Sequence, residues 1–190
     1  MIYKNVNIHE TAIIDDKVEI GQKTNIWHFS HVLPGSIIGK NCIIGQNVMI
    51  GPDVTIGNNC KIQNNVSLYK GITIENDVFL GPSCVFTNVK TPRAFIDRSN
   101  EFSNTVIKKG ASIGANSTII CGVELGPYCM IGAGALVTKN IKPFSLVVGS
   151  PANHIGWVSK TGDKLDDNLI CKRTGQLYEE RNGFLYEKEK

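Results

Sequence analysis

The sequence has few aromatic residues and little net charge. Of its 190 residues 7% are aromatic, and 20 basic residues against 17 acidic ones leave a formal net charge of +3. This balance argues against a dense basic face, so we expect no nucleic-acid partner. No apolar stretch approaches the ~20 residues that cross a bilayer. The N-terminal stretch MIYKNVNIHETAIIDD lacks the basic and apolar regions of a secretory signal. We therefore expect a cytoplasmic protein that does not bind membranes.

Leucine is also scarce, since 10 leucines accompany 24 isoleucines. Isoleucine is β-branched and favours strands, whereas leucine favours helices. Together with 19 glycines, this composition indicates short strands separated by tight turns. Six cysteines without a secretory signal predict reduced thiols rather than a disulfide framework.

A six-residue repeat runs through most of the chain. Every sixth residue from Ile8 to Phe86 is a large apolar one, and the series resumes at Ile107 and continues to Val137. A small or β-branched residue usually stands two positions earlier. A parallel β-helix of hexapeptides has this period, whereas an α-helix or an alternating strand does not. Four cysteines fall on the small inward position and are expected to fill the core: Cys42, Cys60, Cys84 and Cys129.

The repeat is interrupted once. Phe86 and Ile107 are 21 positions apart, which is 15 more than one repeat. This spacing predicts a loop extruded at 88–104, and loops of that length are usually functional or disordered. We expect a functional loop on a β-helix over 1–142, followed by a C-terminal extension over 143–190. Thr174-Gly175 and Asn182-Gly183 predict one or two hairpins in that extension.

This pattern resembles the left-handed β-helix of the hexapeptide-repeat acyltransferases, in which three hexads close one triangular coil. The fold class implied is all-β, a left-handed parallel β-helix with a protruding loop and a small C-terminal extension. Such a fold does not by itself give a function. A zinc enzyme with this fold needs three converging histidines. The spacing of the four histidines does not supply them, so we expect no metal.

The stretch from Ile113 to Ala152 resembles the acetyl-CoA-binding end of these acetyltransferases. It reads SIGANSTIICGVELGPYCMIGAGALVTKNI and then LVVGSPAN. Small residues let a pantetheine arm lie against the backbone, and a corner N–H near Gly114 or Gly132 is expected to stabilise the oxyanion. The alternative is that these are ordinary coil glycines and surface lysines. The predicted acetyl-CoA-binding residues are Gly114, Ala115, Gly132, Ala133, Lys139, Lys142 and Pro151.

Motifs across residues 5–157 are similar to those of bacterial enzymes that acetylate the 3-amino group of UDP-2-acetamido-3-amino-2,3-dideoxyglucuronate for surface polysaccharide. The motifs are IWHFSHV, KIQNNVSLY, VFLGPSCVFTNVKTPRA, KKGASIGAN, VVGSPAN and HIGW. Enzymes acting on dTDP-3-amino-3,6-dideoxyhexoses share FTN and the following proline-arginine, so that substrate class stays open. A non-catalytic structural β-helix is the third alternative. Relatives can carry cysteine-bearing knuckles after IGW, whereas this chain has only Cys171 there.

The resemblance implies that the asparagine of FTN, Asn88, orients the attacking amine. A neutral amine needs positioning more than it needs a base. If the loop does not rotate the coils, Asn88, Cys121 and Lys139 share one column. Predicted substrate-binding residues are His28, His31, Gln63, Asn64, Asn65, Tyr69 and Arg93, the last because a guanidinium suits a carboxylate or a phosphate.

Outward aromatic side chains expose too much apolar surface for a monomer. Together with the family resemblance, they predict a homotrimer with active sites between subunits. Two roles are open for His28 and His31. They contact substrate in the cleft between subunits, or they pack that interface together with Trp27 and Phe29.

Overall fold

The computed structural model describes residues 4–188, which form a three-sided solenoid of short strands. Within that range no helix is long and apolar enough to span a membrane. Most strands are two residues long, and each pairs in parallel with the third strand after it, as Ile8 does with Ile26. The prediction of a left-handed parallel β-helix built from hexapeptides is confirmed.

Three sheets form the three faces of the solenoid, and the chain visits them in the order A, B, C. Face A contains β1 (Asn7–Ile8), β4 (Asn25–Ile26), β7 (Ile43–Ile44), β10 (Lys61–Ile62), β13 (Phe79–Leu80), β16 (Ser112–Ile113), β19 (Met130–Ile131), β21 (Ser145–Val148) and β22 (Asn153–Trp157). Face B contains β2 (Ile13–Ile14), β5 (His31–Val32), β8 (Met49–Ile50), β11 (Ser67–Leu68), β14 (Val85–Phe86), β17 (Thr118–Ile119) and β20 (Leu136–Val137). Face C contains β3 (Glu19–Ile20), β6 (Ile37–Ile38), β9 (Thr55–Ile56), β12 (Ile72–Ile74), β15 (Thr105–Ile107) and β18 (Glu124–Leu125).

The corners between the faces form three edges, called here AB, BC and CA. Coils are counted from the N-terminus, each starting at a face A strand, so that coil 2 starts at β4, coil 5 at β13 and coil 7 at β19. Neighbouring coils lie about 4.8 Å apart, the spacing of hydrogen-bonded strands.

The core is a stack of the repeat residues. The large apolar side chains from Ile26 to Val137 are buried, and the small residues two positions earlier fill the corners. Cys42, Cys60, Cys84 and Cys129 lie among them, as predicted, and all six cysteines of the chain are free and buried.

Asparagine is frequent because many corners need a left-handed backbone conformation. Asn41, Asn47, Asn59 and Asn65 all have φ between 55° and 60°, and asparagine tolerates this region better than most residues. Their side chains also join successive coils, since the Asn47 amide donates to Asn65 Oδ1 at 3.0 Å. Sequence composition and corner geometry therefore have one common cause.

The loop at 88–104 leaves the solenoid without rotating it. Parallel pairing continues across the loop on all three faces, because Val85 pairs with Thr118 on face B and the strands of faces A and C are joined in the same way. The inserted segment projects at the BC edge. The Ser103 N–H donates to the Asn88 carbonyl oxygen at 2.9 Å and closes the base of the loop.

The C-terminal extension folds back on the solenoid. Strand β21 stacks on β19, and β22 then runs antiparallel to β21. The predicted hairpin at Asn182-Gly183 joins β23 (Tyr178–Arg181) to β24 (Phe184–Glu187). The other predicted turn closes only a single bridge between Ile170 and Leu177. A second small core holds the extension together: Trp157, Leu165, Cys171, Tyr178 and Leu185.

Candidate active site

Asn88 lies on the BC edge in coil 5, where the loop begins. Because Phe86 pairs with Ile119 and Ile119 pairs with Val137, the same corner of the next coils holds Cys121 and Lys139. The predicted column is therefore confirmed. Thr87 Oγ1 accepts the Cys121 N–H at 2.9 Å and ties the base of the loop to coil 6. Tyr69 is exposed on the same edge, one coil toward the N-terminus.

A second group of predicted residues lies on the AB edge in coils 2–4. His28, Gln63 and Asn64 line a cavity of about 320 Å³ together with Trp27 and Gln46. The His28 ring is stacked on His9, with centroids 3.4 Å apart. Asn64 Oδ1 accepts the Gln46 N–H at 2.9 Å. An aromatic wall and several amide groups meet here, which suits a planar polar ring such as a nucleobase.

His31 and Asn65 lie in an adjoining cavity of about 190 Å³ at the start of face B. Phe29 and Asn47 complete that wall. The His31 Nε2 is 3.0 Å from Asp15 Oδ2, so a carboxylate of the neighbouring coil orients this imidazole. His28 and His31 each line a cavity that is open to solvent, whereas Arg93 lines neither of these two cavities. Arg93 is exposed in the loop, and its guanidinium donates to the Pro92 carbonyl oxygen.

Within one protomer, face B separates these two groups of residues. The outward side chains of this face include no Lys, Arg, Asp or Glu: Ile13, His31, Met49, Ser67, Val85, Thr118 and Leu136. Phe29, at one border of the face, is 60% exposed and has a φ of 57°. The corner residues Lys17 and Lys23 share this conformation, so the exposure of the Phe29 ring is the feature that points to an interface.

The small residues predicted to bind acetyl-CoA lie on the AB edge in coils 6 and 7. A Cβ atom on Gly114 would lie 2.4 Å from the Ala133 nitrogen, so coil stacking itself requires this glycine. At Gly132 a Cβ would meet the side-chain atom Val148 Cγ1 at 2.7 Å, so a larger residue would displace that side chain. The ordinary-glycine alternative therefore accounts for why these two residues are glycine.

The N–H groups of Gly114 and Gly132 themselves are not available to an oxyanion. Both N–H groups donate to carbonyl oxygens of the next strand, at Ile131 and Val147, at 2.8 Å. They are therefore already used by the ladder that holds the coils together.

The N–H groups one residue further on differ. In the lower coils, such an N–H donates to an asparagine side chain 18 positions later at Gln46 on the AB edge and at Lys40 and Asn58 on the CA edge. One coil after Ala115, in coil 7, the position equivalent to those asparagines is Ala133, which has no side-chain acceptor. Neither alanine N–H donates to any acceptor among residues 4–188. The AB edge thus offers two backbone donors at the height of coils 6 and 7.

The predicted lysines are divided between two edges. Lys139 is exposed on the BC edge, in the Asn88 column. Lys142 lies instead at the CA edge, where its ammonium donates to the Gly183 carbonyl oxygen at 2.7 Å and lies over the Phe184 ring. It thus holds the C-terminal hairpin. Pro151 is exposed at the turn between β21 and β22.

One further candidate residue was not identified by the sequence analysis. Lys70 occupies the Asn88 corner one coil toward the N-terminus, and it lines a cavity of about 530 Å³ beneath the loop. A step of three hexads back from Asn88 identifies it. Among residues 4–188 no three His, Cys, Asp or Glu side chains gather as metal ligands.

Comparison with known proteins agrees with this architecture. The family model described as bacterial transferase hexapeptide (six repeats) matches residues 17–52 and 104–139. The hexapeptide repeat of succinyl-transferase matches residues 36–70. A dTDP-3-amino-3,6-dideoxy-alpha-D-galactopyranose 3-N-acetyltransferase from Aneurinibacillus thermoaerophilus is 41% identical over 181 residues, which cover 94% of this chain and 93% of that protein.

Two solved structures share the fold. A hexapeptide-repeat containing acetyltransferase from Vibrio cholerae O1 biovar eltor, complexed with acetyl coenzyme A, has a TM-score of 0.56 and 25% identity over 74% of this chain and 71% of that one. PerB from Caulobacter crescentus, in complex with CoA and GDP-perosamine, has a TM-score of 0.51 and 20% identity over 80% and 57%. The second likeness shows the fold alone. The similarity to the Aneurinibacillus enzyme extends over nearly the full length of both chains, and it decides the family. This chain belongs to the hexapeptide-repeat acetyltransferases, among the sugar-nucleotide N-acetyltransferases.

Proposed function

We propose that this enzyme transfers the acetyl group of acetyl-CoA to the 3-amino group of UDP-2-acetamido-3-amino-2,3-dideoxyglucuronate, for surface polysaccharide synthesis. The observation that carries the proposal is the order of the groups along the solenoid axis. The amide and histidine cavity lies in coils 2–4, Asn88 lies in coil 5, and the open backbone donors lie in coils 6 and 7. This order matches a nucleotide, a reacting amine and a thioester arranged end to end.

The complete site is proposed to form in a homotrimer with face B at the three-fold axis. This arrangement covers the face whose outward side chains include no Lys, Arg, Asp or Glu, and it buries the exposed Phe29 at the border of that face. It also brings the AB edge of one protomer to the BC edge of the next. His28 and Asn64 then face Asn88 across a subunit boundary.

In this site Asn88 Oδ1 accepts a hydrogen bond from the substrate amine and directs its lone pair at the thioester carbon. The new C–N bond forms as the C–S bond breaks. The surplus proton of the amine goes to the departing thiolate of CoA. The open N–H groups of Ala115 and Ala133 are the donors proposed for the pantetheine amides and the developing oxyanion, and Lys139 for a CoA phosphate.

A second candidate substrate is a dTDP-3-amino-3,6-dideoxyhexose, and the identity to the Aneurinibacillus enzyme supports it directly. The two candidates differ in the nucleoside and in the substituents at C2 and C6 of the sugar, and only the uronate has a 6-carboxylate. Both share the amine at C3, so the role of Asn88 is the same for each.

The deciding experiment measures thiol release from acetyl-CoA with each sugar nucleotide. We expect turnover with the UDP-linked 3-amino uronate and little with UDP-N-acetylglucosamine, which lacks a 3-amino group. Faster turnover with the dTDP-linked 3-amino sugar favours the second candidate. Thiol release with neither 3-amino sugar contradicts the proposed function.

A further inference from the structure

The cavity beneath the loop is lined by a solvent-exposed cationic side chain, Lys70. Its walls come from the loop, through Ser99 and Asn100, and from face C, through Thr73 and Val106. Lys70 lies at the BC edge of this cavity, with 53% of its side chain exposed. Its ammonium is 2.8 Å from Asp53 Oδ2, on a carboxylate that is itself 55% exposed. Ion pairs this accessible to water contribute little stability, so another anion can take the place of Asp53 at small cost.

Lys70 also lies close to the reaction centre. It shares a column with Asn88 because Ser67 pairs with Val85. One coil separates the two corners, about 4.8 Å along the axis. Lys70 lies on the N-terminal side of Asn88, toward coils 2–4, which hold the cavity proposed for the nucleotide. A hexose held by its 3-amino group at Asn88 has its anomeric phosphate and its C6 substituent within about one further coil spacing. The guanidinium of Arg93, by contrast, donates to the carbonyl oxygen of its own neighbour Pro92.

We propose that Lys70 binds an anionic group of the acceptor next to the reacting amine, either the diphosphate or the sugar carboxylate, and releases Asp53 to do so. This inference rests on the proposed function and assigns a substrate-binding residue within that site. An ammonium is a strongly hydrated point charge that binds either anion without a fixed geometry. Lys70 therefore contributes to acceptor affinity, and Asp53 competes with the acceptor for the same ammonium.

The test compares two variants that break the same ion pair. Lys70→Gln removes the cation, and Asp53→Asn removes only its competitor. We expect Lys70→Gln to raise KM for the acceptor about 10- to 100-fold, the range of a charge-assisted hydrogen bond. Asp53→Asn is expected to leave that KM unchanged or lower it. Lys70→Arg should restore part of the loss, and Lys40→Gln, which removes an exposed charge at the CA edge, controls for net charge.

The source of the anion is read from inhibition by UDP, which has a diphosphate and no carboxylate. If the inhibition constant of UDP is larger for Lys70→Gln than for the wild type, Lys70 binds the diphosphate. If the KM of Lys70→Gln rises only for the uronate and not for a 6-deoxy acceptor, Lys70 binds the carboxylate. If Lys70→Gln and Asp53→Asn raise KM equally, or Lys70→Gln folds as a trimer with unchanged KM, the inference is wrong. A wild-type enzyme that acetylates no amino sugar contradicts the proposed function instead.

Discussion

Cys121 lies directly above Asn88, although the whole loop separates the two residues in the sequence. The loop adds its residues to one coil without turning the coils above it, so every later edge keeps its place. As a result the Asn88 corner continues through Cys121 to Lys139. The residue proposed to orient the amine and a cation proposed for CoA thus share one edge of the solenoid.

Replacing Asn88 by alanine is expected to lower kcat about 100-fold, because misalignment of the amine alone has an effect of that size. Acetyl-CoA binding, measured by calorimetry, should persist. His28→Ala and His31→Ala are expected to fall only ~10-fold, through looser substrate or interface contacts, well short of the loss of a general base. Asn7→Ala, on the outer side of face A, is the control. A histidine variant that stays trimeric and loses ~10³-fold while Asn88→Ala is unaffected would identify that histidine as the base.

A single carboxylate on face B is expected to prevent trimer formation. Val85 is 49% exposed in the protomer, and Val85→Glu would place three carboxylates around the three-fold axis without partners. Sedimentation velocity should show a species of 20.8 kDa for this variant and about three times that mass for the wild type. Thr55→Glu, on face C, should remain trimeric. The proposed interface is contradicted if Val85→Glu sediments like the wild type.

Sites shared between subunits predict complementation. Asn88→Ala is expected to inactivate the BC edge, and the double variant His28→Ala, Asn64→Ala the AB edge. Random assembly from an equal mixture leaves an intact pair of edges in about a quarter of all sites, or about one site in each mixed trimer. Co-expression should therefore recover about that fraction of wild-type thiol release. If mass measurements show mixed trimers but thiol release is not recovered, Asn88 and the pair His28 and Asn64 act within the same subunit.

Lys139 and Lys142 are expected to behave differently, since they lie on different edges. Lys139→Met should raise KM for acetyl-CoA, because a phosphate ligand is lost. Lys142→Met should leave that KM within about twofold, yet speed proteolysis of the hairpin at 178–187, which its ammonium holds through Gly183. A larger KM effect at Lys142 than at Lys139 would reverse these roles.

Because core thiols are buried, we expect the folded protein to lose stability at high pH. Burial raises the pKa of Cys84 and of Cys129 from the ordinary 9.0 to about 12. The fold favours the protonated thiols, so their contribution is complete below pH 9 and is lost as the pH approaches 12. The midpoint of thermal unfolding should fall over that window. Cys84→Ser should flatten the fall, and Ser30 and Ser117 already occupy equivalent corner positions. An equally steep fall in the variant would exclude the thiol as its cause.

Much of the site was predictable wherever the repeat extends. The period identifies the inward residues, the core cysteines and the column of Asn88, because each hexad has the same backbone path. Arg93 and Lys142 lie outside the repeat, and the partners of both escaped prediction. The contact of Arg93 is set by the path of the loop. The contact of Lys142 is set by the hairpin, which folds back 41 positions later in the sequence.

The sequence by itself determined the solenoid, because a period of six is typical of hexapeptide strands, and the family resemblance added the coil of three hexads. With that coil length, the position of a residue modulo the coil length gives both its face and its height along the axis. Only the tertiary structure decided which polar groups are still open. Hydrogen bonds between coils occupy the N–H groups of Gly114 and Gly132, while the missing asparagine above Ala115 leaves the next N–H available. That difference depends on contacts between coils, which the repeat pattern alone does not specify.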